Sequence, residues 1–255
     1  MRLVAIYNCW SDWDILEYSL KNIAPLVEGV IIVGSNTSNY GEKFPIPEWV
    51  LEHEHFFLRE PQHRHARDSE TDKRNYGLQI AKRLDYTHFL SLDADEMYEP
   101  ESFLKAKARF LNEDIAGLVC PTRVYFGSPT LTIGFDGTRV TFIHKLTTTS
   151  QHVFNKQYPF AWDKRRICID PTRSLNITSG VEYTEEVITE HYSWYRDDIN
   201  RKIRNSSAKT NLERSTVLTD YVQAKEGYYC QFYGKVLTRV QNRFNLPEVW
   251  TLLKQ

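Results

Sequence analysis

Five carboxylates fall within nine positions of this chain: Asp93, Asp95, Glu96, Glu99 and Glu101. They follow directly on the apolar run Phe89-Leu90-Ser91-Leu92. Like charges this close repel, and they cost stability unless a positive group offsets them. Two carboxylates at i and i+2 can both face one ion if the backbone turns as it leaves a strand. Hard divalent cations such as magnesium or manganese take oxygen ligands of this kind and often share them with a diphosphate. A metal-bridged nucleotide diphosphate is therefore one concrete partner for Asp93 and Asp95. The alternative is a solvated acidic loop. Glu99 and Glu101 suit that plainer reading, as the charged start of a helix opening at Pro100. Glu96 is open between supporting this pair and facing whatever the pair binds.

Such a motif has to be positioned by a sheet. Leu3 to Tyr7 is a short apolar run and reads as a first strand. In "DWDILEYSLKNIAPLVE", Ile15, Leu16, Leu20, Ile23 and Leu26 recur at helical spacing. Val30 to Val33 is a second strand that breaks into a Gly/Ser/Asn loop. This strand–helix–strand opening is the signature of a parallel, doubly wound sheet. A short helix and a third strand around His55 to Leu58 follow. "TDKRNYGLQIAKRL" reads as a helix from about Asp72 to Leu84, capped by Thr71 or Asp72. "THFLSLDAD" is a fourth strand, "PESFLKAKARFLN" a helix and "AGLVCPTRVYFG" a fifth strand. In "TLTIGFDGTRVTFIHKLT" the residues alternate, and Asp136-Gly137 suggests a hairpin turn. "EVITEHYSWYRDDINRKIRNSSAK" passes from strand to basic helix, and the tail from Lys209 reads as helical. The expected organisation is an α/β half at 1–127, an acceptor-side half at 128–200 and a basic helical extension at 201–255.

Composition bounds the function classes. The chain has 255 residues, 41% hydrophobic and 25% charged, which is ordinary for a folded α/β domain. The net charge of −1 excludes little, because charge can be segregated locally. Residues 201–255 carry ten basic and four acidic side chains, a positive face. The four cysteines (Cys9, Cys120, Cys168, Cys230) form no CxxC pair and read as buried free thiols of a reducing compartment. "MRLVAIYNCW" is too short and interrupted for a signal peptide, and no window approaches the ~20 apolar residues of a membrane span. A cytoplasmic protein is expected, with peripheral membrane contact open to it.

"VAIYNCWSDWDILEYSLKNI", "VIIVGSNTS" and "KRNYGLQIAKRLDYTHFLSLDADE" together resemble a glycosyltransferase with the GT-A fold, of the broad family-2 type. The Arg-Asn-x-Gly helix leading to a hydrophobic strand that ends in Asp-Ala-Asp-Glu is the most specific block. "EHYSWYRDDINRKI" resembles a His-Tyr-x-Trp-x-Arg segment, followed by a Lys-bearing helix, in a cytoplasmic subset of these enzymes. The resemblance implies a Rossmann-like, mostly parallel twisted sheet flanked by helices, a nucleotide-sugar donor (a UDP-sugar first), and a divalent metal, manganese or magnesium. It places Tyr7 and Asn8 against the donor nucleotide and Arg74 near its diphosphate. Asp93 would face the ribose or a metal-bound water. Asp95 would ligate the metal, His191 would complete the metal site, and Arg196 and Lys202 would neutralise the leaving diphosphate. The family's aspartate after the second strand, which reads the base, is missing. The chain has Gly34, Ser35 and Asn36 there, with Asn36 the remaining donor-side candidate. The Gln-x-x-Arg-Trp motif of processive synthases is absent too, so a single transfer is the natural expectation.

Inverting transfer, which the resemblance implies, needs a general base near the acceptor hydroxyl. Asp163, among the aromatics of "FAWDKRR", is the first candidate and Asp170 the second, with Glu186 and Glu190 after them. The acceptor reads first as a cell-envelope glycan or lipid, then as a protein side chain or a hydroxymethylated base of a viral genome held by the basic clusters at 64–67, 164–166 and 201–204. Two other classes compete. A nucleotidyltransferase would carry a Gly-rich loop after the first strand, and "YNCWSDWD" has no glycine. A non-catalytic sugar- or nucleic-acid-binding module is compatible with the basic, aromatic tail.

Overall fold

The computed structural model describes residues 1–156, 168–177 and 179–248. The chain divides into two compact units: Met1–Pro121 with Gly137–Thr189, and Thr122–Asp136 with Glu190–Gln255. The first opens with β1 (Leu3–Cys9), α1 (Trp13–Ile23) and a 3-10 turn (Ala24–Leu26). Next come β2 (Gly29–Gly34), α2 (Glu48–Leu51), β3 (Phe56–Leu58), α3 (Ala66–Arg83), β4 (His88–Asp93), β5 (Glu96–Tyr98) and α4 (Pro100–Asn112). β6 (Gly117–Phe126) and β7 (Leu131–Lys145) have residues in both units. β8 (Cys168–Ile169) and β9 (Val181–Tyr183) belong to the first, and β10 (Thr189–Trp194) leads into the second.

β3, β2, β1 and β4 are adjacent and parallel, and β7 closes on β4 antiparallel through Phe89↔His144. This is the expected α/β class, a mostly parallel Rossmann-like sheet flanked by helices. The strands are apolar almost throughout, as parallel strands covered on both faces must be. Val4, Ile6, Ile31, Val33 and Phe89 line one face and meet Leu78, Ile80 and Ala81 of α3. Gly77 permits that approach, because a Cβ there would lie 2.4 Å from Ile6 Cγ2. On α1, Ser19 hydrogen-bonds the Tyr7 hydroxyl at 2.8 Å and donates to Glu96 O at 2.5 Å.

The second unit adds α5 (Ile199–Asn205), α6 (Lys209–Glu213) and α7 (Val217–Gln223), then short strands β11 (Tyr229–Cys230), β12 (Lys235–Val236) and β13 (Thr238–Arg239). Val124, Phe126, Trp194, Ile203, Leu212 and Tyr221 form its core. Cys9, Cys120 and Cys230 are buried free thiols.

Four local expectations change. α3 begins at Ala66, more than a turn before Asp72. Its first turns carry polar residues that satisfy one another, so no apolar period marks them. Thr71 Oγ1 donates to Arg67 O (2.9 Å), and Glu70 pairs with Arg74 four residues on. Second, Glu96-Met97-Tyr98 is a fully buried strand rather than loop. Third, Asp136-Gly137 is no hairpin turn. β7 runs through it unbroken, with positive φ at Gly134 (72°) and Gly137 (92°) absorbing local kinks. Fourth, the tail is helical only to Gln223 among the described residues. Glu99 does cap α4 as expected, accepting from the Glu101 and Ser102 amides at 3.1 and 2.7 Å.

Two histidines of the first unit set a pH dependence. Burial lowers the pKa of His144 to about 3, and burial with the nearby Arg74 charge does the same to His152. Both are neutral in the folded protein but titrate near 6.5 once unfolded. The unfolded state therefore binds more protons below pH ~6.5, and stability falls as pH drops through that window. Urea titrations from pH 6.5 to 5 should show a slope approaching about 2.7 kcal/mol per pH unit, about half from each imidazole. His144→Leu should halve it; an unchanged slope would refute the assignment.

Candidate active site at the carboxyl ends of the strands

In open α/β sheets ligands bind outside the carboxyl ends of the strands, where the strand order reverses. Here that point is β1, flanked by β2 on one side and β4 on the other. The register places Asn8 level with Asp93 on β4 and with Val33 on β2. Side chains alternate along a strand, so Asn8 continues the Val4-Ile6 row and Asp93 the Phe89-Ser91 row, both on the α3 face. α3 runs back from β3 to β4, and its Lys73 and Arg74 arrive at this level.

Asp93 is held by two arginines. Arg74 Nη2 donates to its Oδ1 at 2.8 Å and Arg173 Nη2 to its Oδ2 at 2.6 Å. Arg173 is 1% exposed and forks onto Glu96, itself 0% exposed, at 2.7 Å to each oxygen. Glu96 Oε2 also accepts from the Asp93 amide at 3.0 Å, which closes the Ala94-Asp95 turn. Arg74 further meets Glu70 (3.1 Å) and Ser91 Oγ (3.2 Å). Asp170 lies 3.1 Å from Arg173 Nε and accepts from Thr172 N and Oγ1 at 2.9 and 2.8 Å. Two guanidiniums thus hold together a constellation of four carboxylates, Glu70, Asp93, Glu96 and Asp170, and leave it with an excess of negative charge. The surrounding carboxylates outweigh desolvation and raise the Arg74 pKa above its ordinary value, and that of Arg173 well above it.

Lys73 differs. It is 7% exposed, and its Nζ donates to Cys9 O (2.9 Å) and Ser35 Oγ (3.1 Å), joining the ends of β1 and β2. Burial lowers its pKa to about 8. Asn8 Oδ1 and Trp10 Nε1 are buried in the same strand end and have no hydrogen-bond partner among the described residues.

The structure brings together Asn8, Arg74, Asp93, Asp95 and Asp170 in the first unit. Tyr7 faces the other side of the sheet, and burial pushes its phenol pKa up. Asn36 sits in the loop after β2, where its amide donates to Glu60 Oε1 at 3.0 Å. Asp163 lies outside the described residues. His191, Arg196 and Lys202 belong to the second unit. There Arg196 turns inward and donates to the Tyr192 and Tyr195 carbonyls at 3.3 and 2.9 Å. Glu190 is buried beside the stacked Tyr125–Tyr192 pair, with Arg123 at 2.8 Å, and desolvation raises its pKa. Lys73 and Arg173 carry no motif that the sequence reading recognised. The one signal for Arg173 was the demand of the acidic run for a cation.

Among the described residues no three His, Cys, Asp or Glu side chains gather to hold an ion. Asp93, with an arginine on each oxygen, does not fit direct ligation. Asp95, buried in the turn that Glu96 closes, fits the mode in which one carboxylate and the phosphates of a substrate share the ion.

No protein-family model and no curated protein matches the chain. Solved structures do resemble it. One of S. aureus TarS aligns at 17% identity over 49% of this chain and 22% of that one, with a TM-score of 0.35. TarS 1–349 aligns at 12% identity over 87% of this chain and 71% of that one, with a TM-score of 0.46. A mannose-1-phosphate geranyltransferase from Thermus thermophilus aligns at 16% identity over 51% and 44%, with a TM-score of 0.30. The chain thus spans about a fifth of the first TarS structure.

Removing one partner of a buried ion pair leaves an uncompensated charge, at a cost of about 3–5 kcal/mol. Arg173→Met should lose about that much unfolding free energy in denaturant titrations. Adding Glu96→Leu should recover most of the loss, because the stranded carboxylate is gone. A neutral Arg173→Met would show that Asp93 and Glu96 do not depend on it.

Proposed function

We propose that the chain is a glycosyltransferase that moves one sugar from a nucleotide-diphosphate sugar to an acceptor hydroxyl. The observation that carries this reading is the convergence of Asn8, Asp93, Asp95 and the α3 cations at the point where strand order reverses. An oriented carboxylate beside buried cations suits a ligand that presents ribose hydroxyls on one part and a diphosphate on another. Asp93, its oxygens fixed by Arg74 and Arg173, keeps a partly exposed side chain that suits a ribose hydroxyl or a metal-bound water. A divalent cation, manganese or magnesium, would be held by Asp95 together with the diphosphate, and it would stabilise the leaving nucleotide. His191, Arg196 and Lys202 stay proposals from the resemblance, with Tyr7 and Asn36 on the donor side. Asp163 is the proposed general base. Asp170 is the weaker choice, because Arg173 and Thr172 already engage its oxygens. A UDP-sugar donor, inversion of configuration and a cell-envelope glycan or lipid acceptor complete the reading. No helix among the described residues is long and apolar enough to cross a membrane. A hydroxymethylated DNA base is the second acceptor reading.

Incubation with labelled UDP-, GDP- and TDP-sugars, against envelope, DNA and protein fractions, tests this directly. Label should enter one fraction with release of nucleoside diphosphate. Release of pyrophosphate would instead mark nucleotidyl transfer, and no turnover with any donor would leave a binding module. Asp95→Ala should abolish manganese-dependent turnover; full activity in that variant would remove the metal role.

A further inference from the structure

We propose that Lys73, rather than Arg74, receives the anionic phosphate of the donor, at a point between the ends of β1 and β2. This rests on the nucleotide-sugar reading and names the side chain that serves it.

Among the described residues, three buried cations stand at this end of the first unit: Lys73, Arg74 and Arg173. Both guanidiniums are engaged by carboxylates, Arg74 by Glu70 and Asp93, and Arg173 by Asp93, Glu96 and Asp170. The charge of each is thus already shared with carboxylates, although Arg74 Nε has no hydrogen-bond partner among the described residues. Lys73 has no carboxylate in ion-pair contact among the described residues, and two neutral oxygens, Cys9 O and Ser35 Oγ, accept from it. An ammonium has three donors, so one N–H is left over. A phosphate oxygen would take the third N–H in a charge-assisted hydrogen bond. The position fits, because Cys9 ends β1 and Ser35 follows β2, at the carboxyl ends where ligands lie. The unpartnered Asn8 Oδ1 and Trp10 Nε1 in the same strand end offer an acceptor and a donor to the rest of such a ligand.

The charged and titratable groups facing Lys73 are Cys9 on β1, Glu70 and Arg74 on α3, and Asp93 on β4. Burial outweighs them and holds its pKa at about 8. A bound phosphate favours the ammonium and raises that pKa, so binding near and above pH 8 must take up a proton. A lysine that merely pinned β1 to β2 would give no such coupling.

The test is titration calorimetry of the full chain with UDP, GDP and TDP at pH 7, 8 and 9, in buffers of differing ionisation enthalpy. Wild type should bind one of them with proton uptake, and more weakly as pH rises through about 8. Lys73→Met should bind about ten- to hundredfold more weakly and show no uptake. Lys73→Arg keeps its charge at every pH used, so it should bind with a flat pH profile. Lys73→Met leaves Cys9 O and Ser35 Oγ without its ammonium, so its melting temperature without ligand is measured beside that of wild type. If it does not fold, wild type against Lys73→Arg decides, and equal pH dependence overturns the proposal. Equal affinity and equal proton uptake in wild type and Lys73→Met would also overturn it, while leaving the transferase reading intact. Binding of none of the three nucleoside diphosphates by wild type would sink that reading and this inference together.

Discussion

The buried guanidinium of Arg173 is the contact on which the acidic strand end depends. β4 delivers Asp93 at its last position, and after only two intervening residues the chain re-enters a strand at Glu96. A fully buried glutamate beside a second carboxylate is untenable unless a cation is buried with it. Arg173 supplies that cation from 77 residues downstream and bonds both oxygens of Glu96. With the charge neutralised, Glu96 Oε2 is free to accept the Asp93 amide and fix the intervening turn. Asp95 is presented by that turn, and Glu99 follows three residues after Glu96 to cap α4. Turn, buried strand and helix start are therefore consequences of one long-range ion pair.

The same contact explains what was legible in the sequence. β1, β2, β4 and α4 are marked by local properties, namely apolar runs, helical spacing and a proline at the first turn, and their places were readable. β5 was not, because three letters beginning with glutamate carry no strand signal until the partner of that glutamate is known. The early turns of α3 were hidden similarly. Ser69 is buried yet polar, and its hydroxyl is occupied with the His63 backbone, so hydrophobic periodicity is silent there. The Asp136-Gly137 pair misled in the opposite sense. Its glycine does adopt positive φ, but as a kink within β7 rather than a reversal. Local turn chemistry states that the backbone bends and leaves open whether a strand ends.

For the site, the acidic residues were legible and their partners were not. Asp93 and Asp95 stand out by type and spacing at a strand end. Arg74 stands out by its helix motif, and its setting adds what the motif leaves out: Glu70 and Asp93 flank it, so it orders a carboxylate of the site. Lys73, one residue earlier, was unremarked because a lone lysine on a polar helix is ordinarily solvated.

The difference between these neighbours follows from helix geometry and side-chain chemistry. Consecutive residues on a helix point about 100° apart, so Lys73 fans toward β1 and β2 while Arg74 fans toward β4. The planar fork of arginine suits the fixed pair of carboxylates on the β4 side. The compact ammonium of lysine suits two neutral oxygen acceptors and keeps one donor in reserve. Gly77, one turn further along, sets how closely both can reach, since any side chain there would drive α3 off Ile6. The glycine is thus part of the site without touching a ligand. It holds the helix near enough for one cation to meet Asp93 at the end of β4 and for the other to join the ends of β1 and β2.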